Sequence, residues 1–122
     1  MMSQPKILTL EEILNANDLR EQIVEVPQWG GAVKIRELTK VEQAFIRKEA
    51  RGPDGQVDPE KLEILLMAYG LAEPKITLEQ AQQLRNKSAA AWETILWAML
   101  ELNNMTEEAQ KRMRQSFRPG NA

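Results

Sequence analysis

The sequence contains no cysteine and no histidine. The absence of cysteine excludes disulfides, thiol nucleophiles and cysteine metal sites. The absence of histidine removes the most common general base and the most common metal ligand. No apolar run reaches the roughly 18–20 residues that a membrane-spanning helix needs. The first residues also lack a basic segment followed by an apolar stretch. We therefore expect no membrane span and no signal peptide, and much of enzyme chemistry is excluded.

Aromatic residues make up only 5% of the chain, whereas hydrophobic residues make up 43% and charged residues 28%. This balance is typical of a folded globular protein and not of a disordered one. A chain of 122 residues can bury one hydrophobic core and is too short for two domains. We therefore predict a single domain over residues 1–122, with flexible ends at residues 1–6 and 118–122.

The charge of the chain argues against a general nucleic-acid-binding protein, because the net charge is −2 and the sequence pI is about 5.3. Four basic residues nevertheless lie near the C-terminus: Lys111, Arg112, Arg114 and Arg118. Two interpretations are open. These residues either end a helix, where cations interact favourably with the helix dipole, or form an arm that binds an acidic partner or nucleic acid.

One region alternates with a period of two and predicts a β-hairpin between Ile23 and Leu38. Its two runs, I-V-E-V and A-V-K-I-R, flank the loop P-Q-W-G-G. The apolar side chains expected on the inner face are Val24, Val26, Val33 and Ile35. The charged side chains expected to face water are Glu25, Lys34 and Arg36. An isolated two-stranded hairpin is marginally stable in water, so this one must pack on helices.

Most of the remaining chain carries helix signals. Three capping boxes begin helices, at Thr9 with Glu12, Thr39 with Glu42, and Thr77 with Gln80. Asp58 and Ser88 are further N-cap candidates. The predicted helices run over residues 10–16, from 40 to the loop at 51–55, over 59–70, 78–85 and 89–103, and onward from Thr106. The sequence thus predicts an α+β fold: a mostly helical single domain with one N-terminal β-hairpin packed on about five short helices.

Two finer expectations concern the helix surfaces and ends. In the helix that follows Thr39, the residues Val41, Ala44 and Phe45 fall on one face, as a core-facing stripe does. At the end of the helix that follows Asp58, Gly70 is expected in the left-handed conformation that commonly terminates helices.

The remaining side chains give little support for catalysis. Asp54 and Asp58 with Gly55 resemble a calcium loop only weakly, because the ligand spacing and the terminal Glu are missing. Acidic residues such as Glu11 and Glu107 fall in first helical turns, where they favour the helix dipole. The phosphate-loop and dinucleotide-binding motifs are absent. We therefore predict no enzymatic activity, no catalytic residue, no metal site and no cofactor.

The tryptophans are candidate anchors for a partner. Trp97 lies about 140° around its helix from Trp92, outside the apolar arc of that helix. Its indole either packs within the monomer or belongs to a partner or oligomer surface, where tryptophan is enriched. Trp29, at the hairpin tip, either folds back over the hairpin or meets a partner. The predicted partner-binding residues are Trp29, Gly30, Gly31, Trp97 and Leu100.

The hairpin region resembles a family signature. Residues 26–39 read V-P-Q-W-G-G-A-V-K-I-R-E-L-T and are followed by Glu42. This segment resembles the V-P-x-W-G-G-x-V-x-V-R-x-L-T hairpin of the tail assembly chaperones of long-tailed, siphovirus-like bacteriophages and prophages. The run Y-G-L-A-E-P-K-I-T at residues 69–77 also resembles that family. Gln28 stands where an acidic residue is more usual. The resemblance covers roughly residues 7–108.

The resemblance implies a noncatalytic function in tail morphogenesis. Proteins of this family bind the tape measure protein, keep it soluble and help recruit tail tube subunits. They act in the host bacterial cytoplasm and are absent from the mature virion. The resemblance identifies no catalytic residue. Self-association is a further expectation, and no membrane or nucleic-acid partner is implied.

A small helix-turn-helix DNA-binding regulator is the alternative function. In that interpretation the helices after residue 77 contact DNA and the basic C-terminal residues contact phosphates. The acidic pI and the absence of a basic stripe on any predicted recognition helix argue against it. Strongly salt-dependent DNA binding would favour it.

Overall fold

The computed structural model describes residues 4–107, and a three-stranded antiparallel sheet lies at its centre. Strand β1 spans Glu21–Val26, β2 spans Gly31–Arg36 and β3 spans Leu71–Glu73, in the spatial order β1-β2-β3. Strands β1 and β2 are the predicted hairpin, and Val24 pairs with Val33 across it. Because side chains alternate between the faces of a strand, this register places the predicted inner-face residues on one side of the sheet.

The hairpin turn is a short 3₁₀ helix, Pro27–Trp29, followed by Gly30. Gly30 has a φ of 70°, a left-handed conformation that glycine adopts at little cost. The amide of Gly30 donates to the carbonyl of Pro27 at 3.1 Å and closes the turn. The turn packs against the helix Ala89–Leu102, so the tip of the hairpin does not project freely.

Residues 4–107 also form five α-helices. Their bounds are α1 Leu10–Asn15, α2 Lys40–Glu49, α3 Pro59–Gly70, α4 Leu78–Leu84 and α5 Ala89–Leu102. All three capping boxes form, and the side chains of Asp58 and Ser88 cap α3 and α5. The predicted α+β fold, with one N-terminal hairpin and about five helices, is confirmed.

The core lies between the inner face of the hairpin and helices α3 and α5. Val24, Val26 and Ile35 are buried on the sheet, and Val33 is partly buried. Helix α5 packs across β1 and β2, while α3 contacts α2, α4, α5 and β3. The buried helical residues include Leu66, Met67, Ile95 and Met99. The sheet and α5 therefore form two packed layers, and α3 connects these layers to α2 and α4.

Strand β3 is an addition that the sequence did not predict. It begins directly after α3 and pairs with β2 through Lys34 opposite Glu73 and Ile35 opposite Leu71, with a bulge between Lys34 and Ile35. The segment is only three residues long and follows the helix without a turn. A strand this short carries too little alternation to be recognised before its partner is known.

Two finer expectations were wrong. Gly70 is the last residue of α3 and has no positive φ. A Cβ at Gly70 would lie 2.8 Å from the Met99 Sδ, so the missing side chain makes room for Met99 of α5 and does not serve a left-handed turn. Val41 and Ala44 of the predicted stripe face solvent, with Val41 78% exposed, while Phe45 is partly exposed and its ring packs edge-on against Tyr69 of α3. The fully buried side chains are instead Ile46 of α2 and Ala50 at its C-terminal cap.

The last predicted helix lies almost entirely outside the described residues. Thr106 is buried, and its hydroxyl donates to a Glu101 carboxylate oxygen at 3.1 Å. The four basic residues at positions 111–118 and the predicted flexible end at 118–122 also lie outside the described residues. Residues 4–6, at the other predicted flexible end, are exposed.

Candidate protein-binding surfaces

Trp97 presents most of its indole to solvent. Its side chain is 59% exposed, and its neighbours one turn away on the same face of α5 are Glu93 and Glu101, both exposed. Trp92, on the opposite side of the helix, is 7% exposed and donates its indole N–H to Glu63 Oε1 at 2.9 Å. The two tryptophans therefore differ in environment: Trp92 packs in the core, and Trp97 is exposed where a partner could contact it.

The other predicted binding residues lie on the hairpin turn and on the flank of α5. Trp29 is 38% exposed. Gly30 and Gly31 both have open space where a Cβ would stand. Leu100 is partly buried against the core, so it offers only part of its side chain. Because the turn packs against α5, Trp29 and its glycines lie on the element that contacts the helix of Trp97 and Leu100.

Among residues 4–107, exposed large apolar side chains are most concentrated in the N-terminal segment, residues 7–14, which is not among the binding residues predicted from the sequence. None of its helix α1 is buried. Its five large apolar side chains are between 52% and 88% exposed: Ile7, Leu8, Leu10, Ile13 and Leu14. The i, i+3, i+4 spacing of Leu10, Ile13 and Leu14 was visible in the sequence. That spacing is the same for a helix that packs on its own core and for one that does not.

Ion pairs hold the base of the hairpin. Arg36 donates from both terminal nitrogens to the Glu42 carboxylate, at 3.0 and 2.7 Å. Hydrogen bonding from Arg36 is the main cause that lowers the pKa of Glu42 to about 2. Arg20 donates to Glu37 Oε1 at 2.8 Å and lowers the pKa of that carboxyl. These interactions fix the hairpin to α2 and join the residues that flank its two strands.

A buried amide joins the hairpin to the end of α5. Asn103 Oδ1 accepts from the Leu38 amide at 2.7 Å, and its Nδ2 donates to the Met99 carbonyl at 2.9 Å. The Arg20 guanidinium also donates to the Leu102 carbonyl at 3.1 Å. The helix pattern predicts Asn103 near the helix end but gives no sign of its partner, which lies 65 residues away.

Within residues 4–107, acidic side chains do not gather into a group that could hold a metal ion. Asp54 Oδ1 instead accepts from the Gln56 amide, and Asp58 caps α3. Across the same part of the chain, the helices are too short and too polar to cross a membrane.

Comparison with known proteins gives no assignment: the chain matches no protein-family model, no curated protein and no solved structure.

Proposed function

We propose that this chain is a noncatalytic tail assembly chaperone of a long-tailed bacteriophage or prophage. It binds the tape measure protein in the host bacterial cytoplasm, helps recruit tail tube subunits and is absent from the mature virion. The resemblance of residues 26–39 to the family hairpin supports the family, and the exposed apolar side chains of the N-terminal segment support a binding function.

The N-terminal segment is the observation that carries the proposal. A tape measure protein presents long apolar helical surfaces that aggregate when they are left uncovered. Helix α1 has six residues, and so short a helix is marginal in water on its own. Packing of Leu10, Ile13 and Leu14 against an apolar helix would remove their side chains from water and stabilise α1 at the same time.

Trp97 supplies a second apolar contact on a rigid element. Tryptophan is enriched among the residues that dominate interface energies, and α5 holds this one on an otherwise polar face. The sequence of α5, A-A-A-W-E-T-I-L-W-A-M-L-E-L, contains no lysine or arginine. The exposed side of α5 therefore suits a protein partner better than the phosphates of DNA.

Co-expression tests the proposal. The full chain is produced with a tape measure fragment from the same phage genome, and the soluble, co-purifying fragment is measured. We expect Leu10→Glu with Leu14→Glu to lower the soluble fragment at least about tenfold, because two charges in a desolvated interface are strongly unfavourable. Val41→Glu is the matched control, since Val41 is equally apolar and exposed but lies on α2.

Two results would contradict the proposal. In one, the fragment stays insoluble with the wild-type chain, or is equally soluble without it. In the other, the chain binds duplex DNA with an affinity that falls steeply with salt, which would favour the helix-turn-helix regulator. If the Leu10 and Leu14 variant keeps the fragment as soluble as the wild-type chain does, the contact lies elsewhere on the protein. Trp97→Ala is then the next variant to test.

A further inference from the structure

The outer edge of strand β1 carries unpaired backbone groups. The Glu37 amide donates to the Arg20 carbonyl at 2.8 Å, so residues 20 and 37 form a hydrogen-bonded pair. Antiparallel pairs alternate between hydrogen-bonded and non-hydrogen-bonded. With the observed register, the amides of Gln22, Val24 and Val26 point to β2. Those of Glu21, Ile23 and Glu25 point away from the sheet.

This edge is open within residues 4–107. The sheet order is β1-β2-β3, so β1 has one strand neighbour. Glu21, Ile23 and Glu25 are all exposed, with Ile23 68% exposed. Natural edge strands are commonly protected by lysine, proline, a bulge or a short length. Strand β1 reads E-Q-I-V-E-V over six residues and pairs with β2 without a bulge, so its only protection is the charge of Glu21 and Glu25.

The outer face of β1, the face opposite the buried Val24 and Val26, determines which kind of strand can pair with this edge. Glu21, Ile23 and Glu25 alternate as acid, apolar and acid along that face. Glu21 stands opposite Arg36 and lies 3.9 Å from the Lys34 Nζ, whereas Glu25 stands opposite Ala32. A second copy pairing about Ile23 would place Glu21 directly opposite Glu25 of the other chain, and like charges in that position are destabilising. The charges therefore disfavour self-pairing.

A cationic side chain has room beside Glu25. A hollow of about 400 Å³ is lined by Glu25, Pro27, Gly31 and Ala32. On this face the residue opposite Glu25 is Ala32, whose side chain is only a methyl group. Neighbouring strands lie about 4.8 Å apart, a distance that a lysine or arginine side chain spans easily. The hollow thus adjoins the carboxylate that lacks a cross-strand cation.

From the open edge, the acid–apolar–acid face and the hollow, we propose that β1 adds a strand from a partner protein. That strand has a basic, an apolar and a basic residue at alternate positions. Backbone hydrogen bonds to Glu21, Ile23 and Glu25 hold the strand, and the two cations pair with the carboxylates, as in other cases of β-strand addition. The proposal does not depend on the tape measure interaction, which uses helical apolar surfaces.

Amide exchange of the full chain tests this directly. The probe is the acetylated heptapeptide Thr-Lys-Thr-Ile-Thr-Lys-Thr, added at millimolar concentration to the ¹⁵N-labelled protein. We expect exchange of the Glu21, Ile23 and Glu25 amides to slow by about tenfold. The amides of Gln22, Val24 and Val26 serve as internal controls, because they already bond to β2 and should not change.

Charge reversal tests the partner chemistry. A peptide with both lysines replaced by glutamate should bind the wild-type chain more weakly. In Glu25→Lys, the preference for the lysine peptide should fall by at least about threefold. This variant changes an exposed side chain, and unchanged exchange at Val24 and Val26 would verify that the strand still pairs.

Several outcomes would overturn the proposal. They are unchanged exchange at the three outward amides, equal slowing of all six β1 amides, equal binding of the two peptides, and protection of the outward amides on concentrating the protein alone. The last would identify a second copy as the occupant. A failure of tape measure co-purification would leave these exchange results unaffected, so the two proposals fail separately.

Discussion

The side-chain oxygen of Asn103 accepts a hydrogen bond from the backbone amide of Leu38 at 2.7 Å, and both residues are buried. This contact ties the exit of the hairpin to the C-terminal end of α5. The same side chain donates to the Met99 carbonyl, so one amide satisfies groups on two elements.

Replacing Asn103 should therefore destabilise the whole domain. In Asn103→Ala the buried Leu38 amide loses its acceptor, which costs about 1–3 kcal/mol. We expect urea denaturation to show a lower midpoint with an unchanged slope. Asn104→Ala is an unsuitable control because Asn104 has a positive φ, so exposed Gln83→Ala on α4 is used. Equal stability of Asn103→Ala and wild type would contradict the structural role.

The Arg36–Glu42 ion pair should make stability depend on pH. The pKa of Glu42 falls from 4.5 to about 2 on folding. A carboxyl with a lowered folded pKa stabilises the native state above its unfolded pKa, and that contribution is lost as pH falls from about 5 toward 2. Its size is at most about 3 kcal/mol.

The variant Glu42→Gln isolates the charge, because glutamine also serves at the third position of a capping box. We expect urea titrations of this variant to show a shallower loss of stability below pH 5 than wild type. Identical slopes for the two proteins would show that Glu42 carries no such linkage.

Gly70 and Met99 should be energetically coupled. A methyl group at Gly70 would lie 2.8 Å from the Met99 Sδ, and Met99 is buried. We expect Gly70→Ala to destabilise the protein by about 1–3 kcal/mol through overpacking, despite the better helix propensity of alanine. Met99→Ala opens space, so the double variant should be more stable than the sum of the single changes by about 0.5–3 kcal/mol. Strict additivity would contradict the contact.

Trp97 and Trp92 form a matched pair for separating binding from folding. Trp92→Ala removes a buried ring and should cost about 3–5 kcal/mol of stability. Trp97→Ala removes a largely exposed ring and should change the unfolding free energy by less than about 1 kcal/mol. If Trp97 anchors a partner, the same change should weaken association by about 2 kcal/mol or more. Thermal melting measured beside co-purification distinguishes these effects, and a large loss of melting temperature for Trp97→Ala would contradict the association role.

The parts of the fold that the sequence predicted are those with local causes. Thr39 and Glu42 are three residues apart, and their capping box forms from that spacing alone. The alternation around Val24 and Ile35 likewise marks a hairpin before any tertiary contact is known.

The parts that the sequence missed depend on distant residues. Val41 and Ala44 have the spacing of a core stripe but stay exposed, and α2 buries Ile46 instead. Gly70 has the position of a helix cap, but it is still helical, and the space that its side chain would fill holds Met99 of a different helix. For the candidate site, the angular position of Trp97 pointed to the surface, whereas nothing local revealed that α1 stays uncovered by the rest of residues 4–107.

The bonds from Arg20 to Leu102 and from Leu38 to Asn103 join residues separated by 82 and 65 positions. During synthesis, therefore, the hairpin leaves the ribosome well before the helix that covers its inner face. Strands β1 and β2 must wait for α5, because a hairpin alone is marginal in water. The N-terminal half of the chain is thus expected to complete its folding only when residues near 103 have emerged, with closure of long loops as the slow event.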